Sequence, residues 1–203
     1  MADPRTTFLA AAAAFEQQVA EIPVAALTGP GLGAWDLRSL VGHTSRSLVT
    51  VETYLDQPAT EVVVPTAAGY YLAIADAVAA GGAEIVERGR QAGLALGDEP
   101  ATYVAELADR VREKLAGHDA AYVLTTIAGS MRLEEYLRTR TFELVVHGLD
   151  IGRASGMAPA FAQEALVDAA TLAAEVAART ERGPELLLAV TGRGTLPEGF
   201  SVV

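Results

Sequence analysis

The stretch from Phe142 to Ile151 is among the most apolar parts of the chain, and it lies in a helix predicted from Leu133 to Ser155 that is expected to be buried over much of its surface. Four polar residues stand out in this helix: Arg140, Glu143, His147 and Asp150. Spacings of three, four and three residues place all four on one face of a helix. A buried charge is costly unless it is paired or binds a metal. The four residues on this face therefore need a common structural or functional reason.

Most of the remaining chain also shows apolar residues at helical spacing, with short connectors rich in glycine and proline. The predicted helices begin at Asp3-Pro4 and then cover about 36–55, 68–90 (loosened at Gly81-Gly82), 101–115, 133–155 and 162–179. Residues 121–127 and 186–190 are predicted as short strands or extended segments, and residues 128–130 (Ala-Gly-Ser) as a turn. The expected fold is mainly α: an up-and-down four-helix bundle with extra short helices and one or two short strands.

Length and composition set further limits. We expect residues 1–203 to form a single bundle domain, with a C-terminal strand or tail from about residue 184. The net charge of −11 argues against a nucleic-acid surface and against an anionic membrane surface. No apolar run approaches the ~20 residues of a membrane span, and no signal-peptide pattern is present. The expected location is therefore cytoplasmic. With no cysteine, the chain has no thiol nucleophile of its own.

A histidine on another predicted helix could join the polar face at 140–150. His43 follows Trp35 on the second predicted helix, and Trp35 is expected to be a packing anchor. If this helix packs against the helix at 133–155, His43, Glu143 and His147 form a two-histidine, one-carboxylate metal site. Such donors suit zinc with a fourth position open for water or substrate, and they also suit ferrous iron. Arg140 and Asp150 would then be supporting or substrate-facing groups.

A structural alternative explains the same face without a metal. A Glu–His pair at i, i+4 is weak evidence by itself, since 26 of 203 residues are acidic. The alternative is a buried ladder of ion pairs, Arg140 with Glu143 and His147 with Asp150. The third histidine of the chain, His118, lies in a Gly-His-Asp turn and is expected to be a solvated loop residue.

The two motifs together resemble a known family. Trp35-Asp-Leu-Arg-Ser-Leu-Val-Gly-His43 resembles the Trp-x7-His motif of mycothiol-dependent maleylpyruvate isomerases, in their N-terminal domain. Arg140-x2-Glu143-x3-His147-x2-Asp150 resembles the second motif of that family, which belongs to the DinB-like superfamily of metal-binding four-helix bundles. The resemblance implies a DinB-like bundle with His43, Glu143 and His147 as metal ligands and zinc as the metal. It also implies mycothiol, a low-molecular-weight thiol, as the source of the nucleophile.

The chain departs from the family pattern in two respects. Ser39 stands where the first motif often carries an aspartate. Full-length isomerases of this type have a C-terminal sterol-carrier-like domain, which we do not expect in a chain that ends at Val203.

The expected function is a zinc-dependent enzyme that uses mycothiol for thiol transfer, or for thiol-assisted isomerisation, of a small electrophile. Arg140 is expected to orient an anionic group or to hold Glu143, and Asp150 is expected to support His147. Two alternatives remain open. One is a non-catalytic metal-binding bundle, including as a homodimer, and the other is a ferrous-iron oxygenase.

Overall fold

A computed structural model describes residues 3–203, and helices dominate this part of the chain. The helices are α1 (Pro4–Glu21), α2 (Leu37–Tyr54), α3 (Ala67–Ala80), α4 (Gly82–Ala95), α5 (Pro100–Ala116), α6 (Leu133–Ser155), α7 (Gln163–Arg179) and α8 (Gly183–Val190), with a short 3-10 helix at Val24–Thr28. Strands β1 (Val123–Thr126) and β2 (Gly129–Arg132) pair antiparallel as a hairpin. No helix within residues 3–203 is long and apolar enough to cross a lipid bilayer.

Four helices form the central bundle. Helix α1 packs against α5 and α6, and α2 packs against the same two helices, so the four surround one core. Helix α4 packs along α2, α7 packs against α6 and also contacts α1 and α3, and α8 contacts α7. The core includes fully buried side chains from all four central helices, among them Phe8, Phe15, Leu40, Leu48, Leu107 and Leu144. The predicted mainly α bundle with extra helices and short strands is confirmed.

Local sequence signals explain where the main helices begin and end. The side chain of Asp3 accepts a hydrogen bond from the Thr6 backbone N–H at 2.9 Å, and Pro4 follows in the first turn of α1. Asp36 caps α2 in the same way. Helix α6 ends at Gly156, which has a φ of 76° that glycine adopts without strain. The predicted bounds of 133–155 for this helix are confirmed.

Two local predictions were wrong. Residues 186–190, predicted as a strand, lie in helix α8. An apolar run of five residues is too short for periodicity to separate helix from strand, and here Pro184 in the first turn and the leucines that follow favour helix. Residues 129 and 130, expected in a turn, begin β2, and Thr126 pairs with Gly129 across the hairpin.

Candidate metal centre

The structure brings His43, Glu143 and His147 together where α2 meets α6. One potential ligand atom from each side chain lies within 4.8 Å of those of the other two. The imidazole rings of His43 and His147 meet edge to face, with centroids 4.8 Å apart and planes at 85°. Oε2 of Glu143 lies 3.3 Å from Nε2 of His147. The three residues singled out by the sequence therefore form one cluster.

The cluster is partly open to solvent. The side chain of His147 is 15% exposed and that of Glu143 is 22% exposed, and His43 is also only partly buried. All three side chains are therefore partly in contact with solvent. A separate cavity of about 310 Å³ is lined by residues of α1, α6 and α7, and its lining contains none of the three clustered residues.

Charges within the cluster give its groups opposite protonation preferences. Burial lowers the pKa of His147, but Asp150 and Glu143 outweigh burial and raise it to about 9. Burial and the charge of His147 lower the pKa of His43 to about 4. Burial raises the pKa of Glu143, but the contact with His147 and the charge of Arg140 outweigh it and lower that pKa to about 2. Without a metal at neutral pH, His147 is protonated, His43 is neutral and Glu143 is ionised.

The chemistry of these donors fits a divalent metal ion. Two imidazoles and one carboxylate form the kind of donor set that zinc takes in open catalytic sites. The Nδ1 atoms of His43 and His147 are both buried and have no hydrogen-bond partner. Oδ2 of Asp150 lies 3.4 Å from Nδ1 of His147, which places a carboxylate behind this ring. Buried ring nitrogens left unsatisfied are costly, and metal coordination would remove part of that cost.

Trp35 links the position of His43 to helix α4. Its ring lies against the imidazole of His43 with centroids 4.4 Å apart and planes at 32°. Its Nε1–H donates to the backbone oxygen of Val86 in α4 at 2.9 Å. Helix α4 leaves room for the ring because it carries Gly89, where a Cβ would approach the Trp35 ring to 2.4 Å. Trp35 therefore fixes the plane of the His43 ring besides filling space in the core.

Arg140 is buried between two aromatic rings. Its guanidinium carbon lies 5.2 Å from the ring centroid of Tyr70 and 5.1 Å from that of Tyr136. Its Nε–H donates to Oγ1 of Thr139 at 3.1 Å. Within residues 3–203, no carboxylate lies within 4 Å of this guanidinium, Glu143 included. The ladder of ion pairs that was the structural alternative to a metal site is thus formed only in part: His147 contacts Asp150, but Arg140 does not contact Glu143.

Tyr71 is a member of the site that sequence reasoning missed. Its hydroxyl donates to Oε1 of Glu143 at 2.8 Å and lies 3.2 Å from the backbone oxygen of Thr139. Burial and the charge of Glu143 raise the pKa of Tyr71 well above its usual range, so the hydroxyl keeps its proton. No motif marks Tyr71 in the sequence, because it precedes Glu143 by 72 residues and belongs to a helix with an ordinary apolar pattern.

His118 lies outside the cluster. Its Nδ1 is 2.9 Å from the backbone oxygen of Lys114, and its ring packs against Tyr122 with centroids 4.4 Å apart. It is partly buried rather than fully solvated as the sequence suggested. Because it follows α5 and contacts neither of the other histidines, it provides an internal control for experiments on them.

The fold and the site together define a class of protein. It is a helical bundle with a two-histidine, one-carboxylate cluster between two of its central helices. The family described as "Mycothiol maleylpyruvate isomerase N-terminal domain" matches residues 8–152, and the chain therefore belongs to this family. The matched range extends from α1 almost to the end of α6 and includes His43, Glu143 and His147. Comparison with curated proteins and with solved structures yielded no match.

Proposed function

We propose that His43, Glu143 and His147 bind a divalent metal ion, preferentially zinc, and that the protein uses it to activate mycothiol. The proposed reaction is thiol transfer to a small electrophile, or its thiol-assisted isomerisation. The observation that carries the proposal is the convergence of the three side chains within 4.8 Å from two different helices. Membership of the mycothiol maleylpyruvate isomerase family supports mycothiol as the thiol.

Each polar residue around the cluster has a role in this proposal. When bound, a divalent metal would lower the pKa of a coordinating thiol and so favour the thiolate, which is the nucleophilic form. The thiol comes from outside, since the chain contains no cysteine. Asp150 would accept the Nδ1 proton of His147 in a hydrogen bond and so leave Nε2 unprotonated, ready to coordinate the metal. Arg140, which has no carboxylate within 4 Å among residues 3–203, would orient an anionic group of the electrophile.

The metal proposal is tested by analysing protein purified without a histidine tag. We expect about one equivalent of bound metal, with zinc predominant, and a loss of most of it in His43→Ala. His118→Ala is the matched control, because His118 is the one histidine outside the cluster, and this variant should keep its metal. Less than about a tenth of an equivalent in the wild-type protein, or no difference between the two variants, would contradict the proposal.

A non-catalytic role is the second candidate, because the cluster joins two central helices and a metal there could simply stabilise their packing. Two measurements separate the candidates. The enzyme requires binding of mycothiol to the zinc-loaded protein, and conversion of a model electrophile to its thiol conjugate or its isomer that is lost in His43→Ala. A structural metal instead gives a large drop in the unfolding midpoint on chelation with no mycothiol binding.

A further inference from the structure

The two carboxylate oxygens of Glu143 have different partners. Oε2 lies 3.3 Å from Nε2 of His147, on the side of the candidate ligands. Oε1 accepts a hydrogen bond of 2.8 Å from the hydroxyl of Tyr71. The carboxylate therefore offers one oxygen to the cluster and has the other engaged by a residue from a third helix, α3.

Tyr71 is held firmly in this position. The first turn of α3 is attached to α6 by Glu135, whose carboxylate accepts a hydrogen bond of 2.7 Å from the backbone N–H of Ala67. The ring of Tyr71 is 6% exposed and packs against Phe142 of α6, with centroids 5.3 Å apart. Its hydroxyl has a second acceptor nearby, the backbone oxygen of Thr139 at 3.2 Å. Both the helix and the ring are thus fixed before any metal binds.

We propose that Tyr71 is a positioning residue that keeps Glu143 a one-oxygen ligand and so keeps a coordination position free for the thiol. This inference rests on the proposed function, because it assumes that the cluster binds a metal. A hydrogen bond from a neutral donor to a carboxylate is charge-assisted and strong, and it opposes rotation of the carboxylate. With Oε1 engaged by Tyr71, a metal receives three donor atoms from the protein, which is the number found in open catalytic zinc sites.

Removal of the hydroxyl should alter both the affinity and the geometry of the site. In Tyr71→Phe the ring and its packing are retained, but Oε1 of Glu143 loses its donor and the carboxylate can rotate. Partners of this kind typically contribute 10–100-fold to metal affinity. A carboxylate free to rotate can also bind through both oxygens, which adds a protein donor atom, raises the coordination number of the metal and crowds the position left for the thiol.

The experiment uses the full chain with Co²⁺ and Zn²⁺ as probes. Affinities come from competition titration against a chelator of known strength, and the visible spectrum of the Co²⁺ form reports the coordination number. For Tyr71→Phe we expect an affinity loss of about 10–100-fold and a shift from a four-coordinate to a five- or six-coordinate spectrum. Tyr122→Phe is the matched control, since it also removes a tyrosine hydroxyl, but one that donates to the backbone oxygen of Leu55; both properties should stay unchanged.

A third variant separates positioning from general damage to the bundle. In a Glu143→Gln background the carboxylate is absent, so adding Tyr71→Phe should cause little further loss of affinity if the hydroxyl acts through Glu143. Equal losses in both backgrounds would show that Tyr71 acts on the bundle as a whole and would overturn the proposal.

The remaining outcomes are distinguishable. A wild-type protein that binds neither ion overturns the proposed function and this inference together. A wild-type protein that binds metal, with Tyr71→Phe matching it in affinity and spectrum, overturns the role of Tyr71 alone. If Tyr71→Phe does not fold, a crystal structure of the zinc-loaded wild-type protein decides, because a Glu143 bound to the metal through both oxygens contradicts the proposal.

Discussion

His147 lies between two carboxylates, and this position decides how a metal must compete for it. Its Nε2 is 3.3 Å from Glu143 and its Nδ1 is 3.4 Å from Asp150, and together they raise its pKa to about 9. The pKa of His43 is instead lowered to about 4 by burial and by His147. At neutral pH, the metal-free cluster thus carries one histidine proton that a bound metal has to displace.

We predict that metal binding at pH 7 releases about one proton and becomes tighter as the pH rises toward 9. Calorimetric titrations with Zn²⁺ in buffers of different ionisation enthalpy will measure the number of protons released. The metal-free protein should show the opposite trend in stability: the raised pKa of His147 stabilises the fold below pH 6.5, and this contribution is lost between pH 6.5 and about 9. Binding without proton release at pH 7 would show that His147 is neutral beforehand.

Individual residues of the site differed in how far the sequence could predict them. His43, Glu143 and His147 could be found because their spacings along two helices are local patterns that need no tertiary structure to read. Tyr71 could not, because its hydrogen bond to Glu143 depends on how α3 packs against α6. The sequence also could not predict what surrounds Arg140, because one of the two rings that flank it, Tyr70, comes from α3.

At the scale of elements, α4 and α2 pack at unusually close range through glycines. A Cβ on Gly42 of α2 would lie 2.2 Å from the backbone nitrogen of Gly93 in α4, a distance that no side-chain adjustment can relieve. The same pair of helices holds Trp35 between Gly89 and His43. The separation of the two helices is therefore coupled to the position of a candidate ligand.

We predict that Gly42→Ala lowers the free energy of unfolding by about 1–3 kcal/mol and weakens metal binding, because the added methyl group must push α4 away from α2. Urea unfolding and a metal titration measure the two effects. Gly82→Ala is the control: its Cβ would meet nothing within 4 Å, and alanine at this helical position should be neutral or stabilising by up to ~1 kcal/mol. Similar stability of the two variants would contradict the close packing.

Helices and strands were predicted more accurately from the sequence when they were long and when capping residues marked their ends. Helix α6 has 23 residues, charged groups in its first turn and a glycine at its end, and its predicted bounds were confirmed. Helix α8 has eight residues, so its apolar run did not distinguish a helix from a strand. The hairpin was predicted only in its first strand, because β1 (Val-Leu-Thr-Thr) is rich in β-branched residues whereas β2 (Gly-Ser-Met-Arg) has none.

At the scale of the whole molecule, the buried side chain of Arg138 on α6 connects its helix to α7 through ion pairs. Its side chain is 7% exposed and lies 2.9 Å from Asp168 and 3.7 Å from Glu175, both on α7. On its own helix it lies 3.5 Å from Glu135, the carboxylate that also caps α3. One buried cation therefore joins α6 to α7 and, through Glu135, to α3.

We predict that Arg138→Met lowers the free energy of unfolding by roughly 1–3 kcal/mol, because its carboxylate partners are left without a cation but keep partial access to water. Chemical denaturation followed by circular dichroism measures this loss. Arg112→Met is the control, since its pair with Asp109 is largely exposed and should contribute less than about 1 kcal/mol. Equal effects of both substitutions would mean that burial of Arg138 does not strengthen its ion pairs.

The contact between Trp35 and His43 gives the protein a built-in optical probe. Trp35 is the sole tryptophan of the chain, and its ring centroid lies 4.4 Å from that of a candidate ligand. Any event that changes the charge or electron density of that imidazole acts directly on the fluorophore. Emission at tryptophan wavelengths therefore reads out the state of one defined histidine, without a label and without background from a second indole.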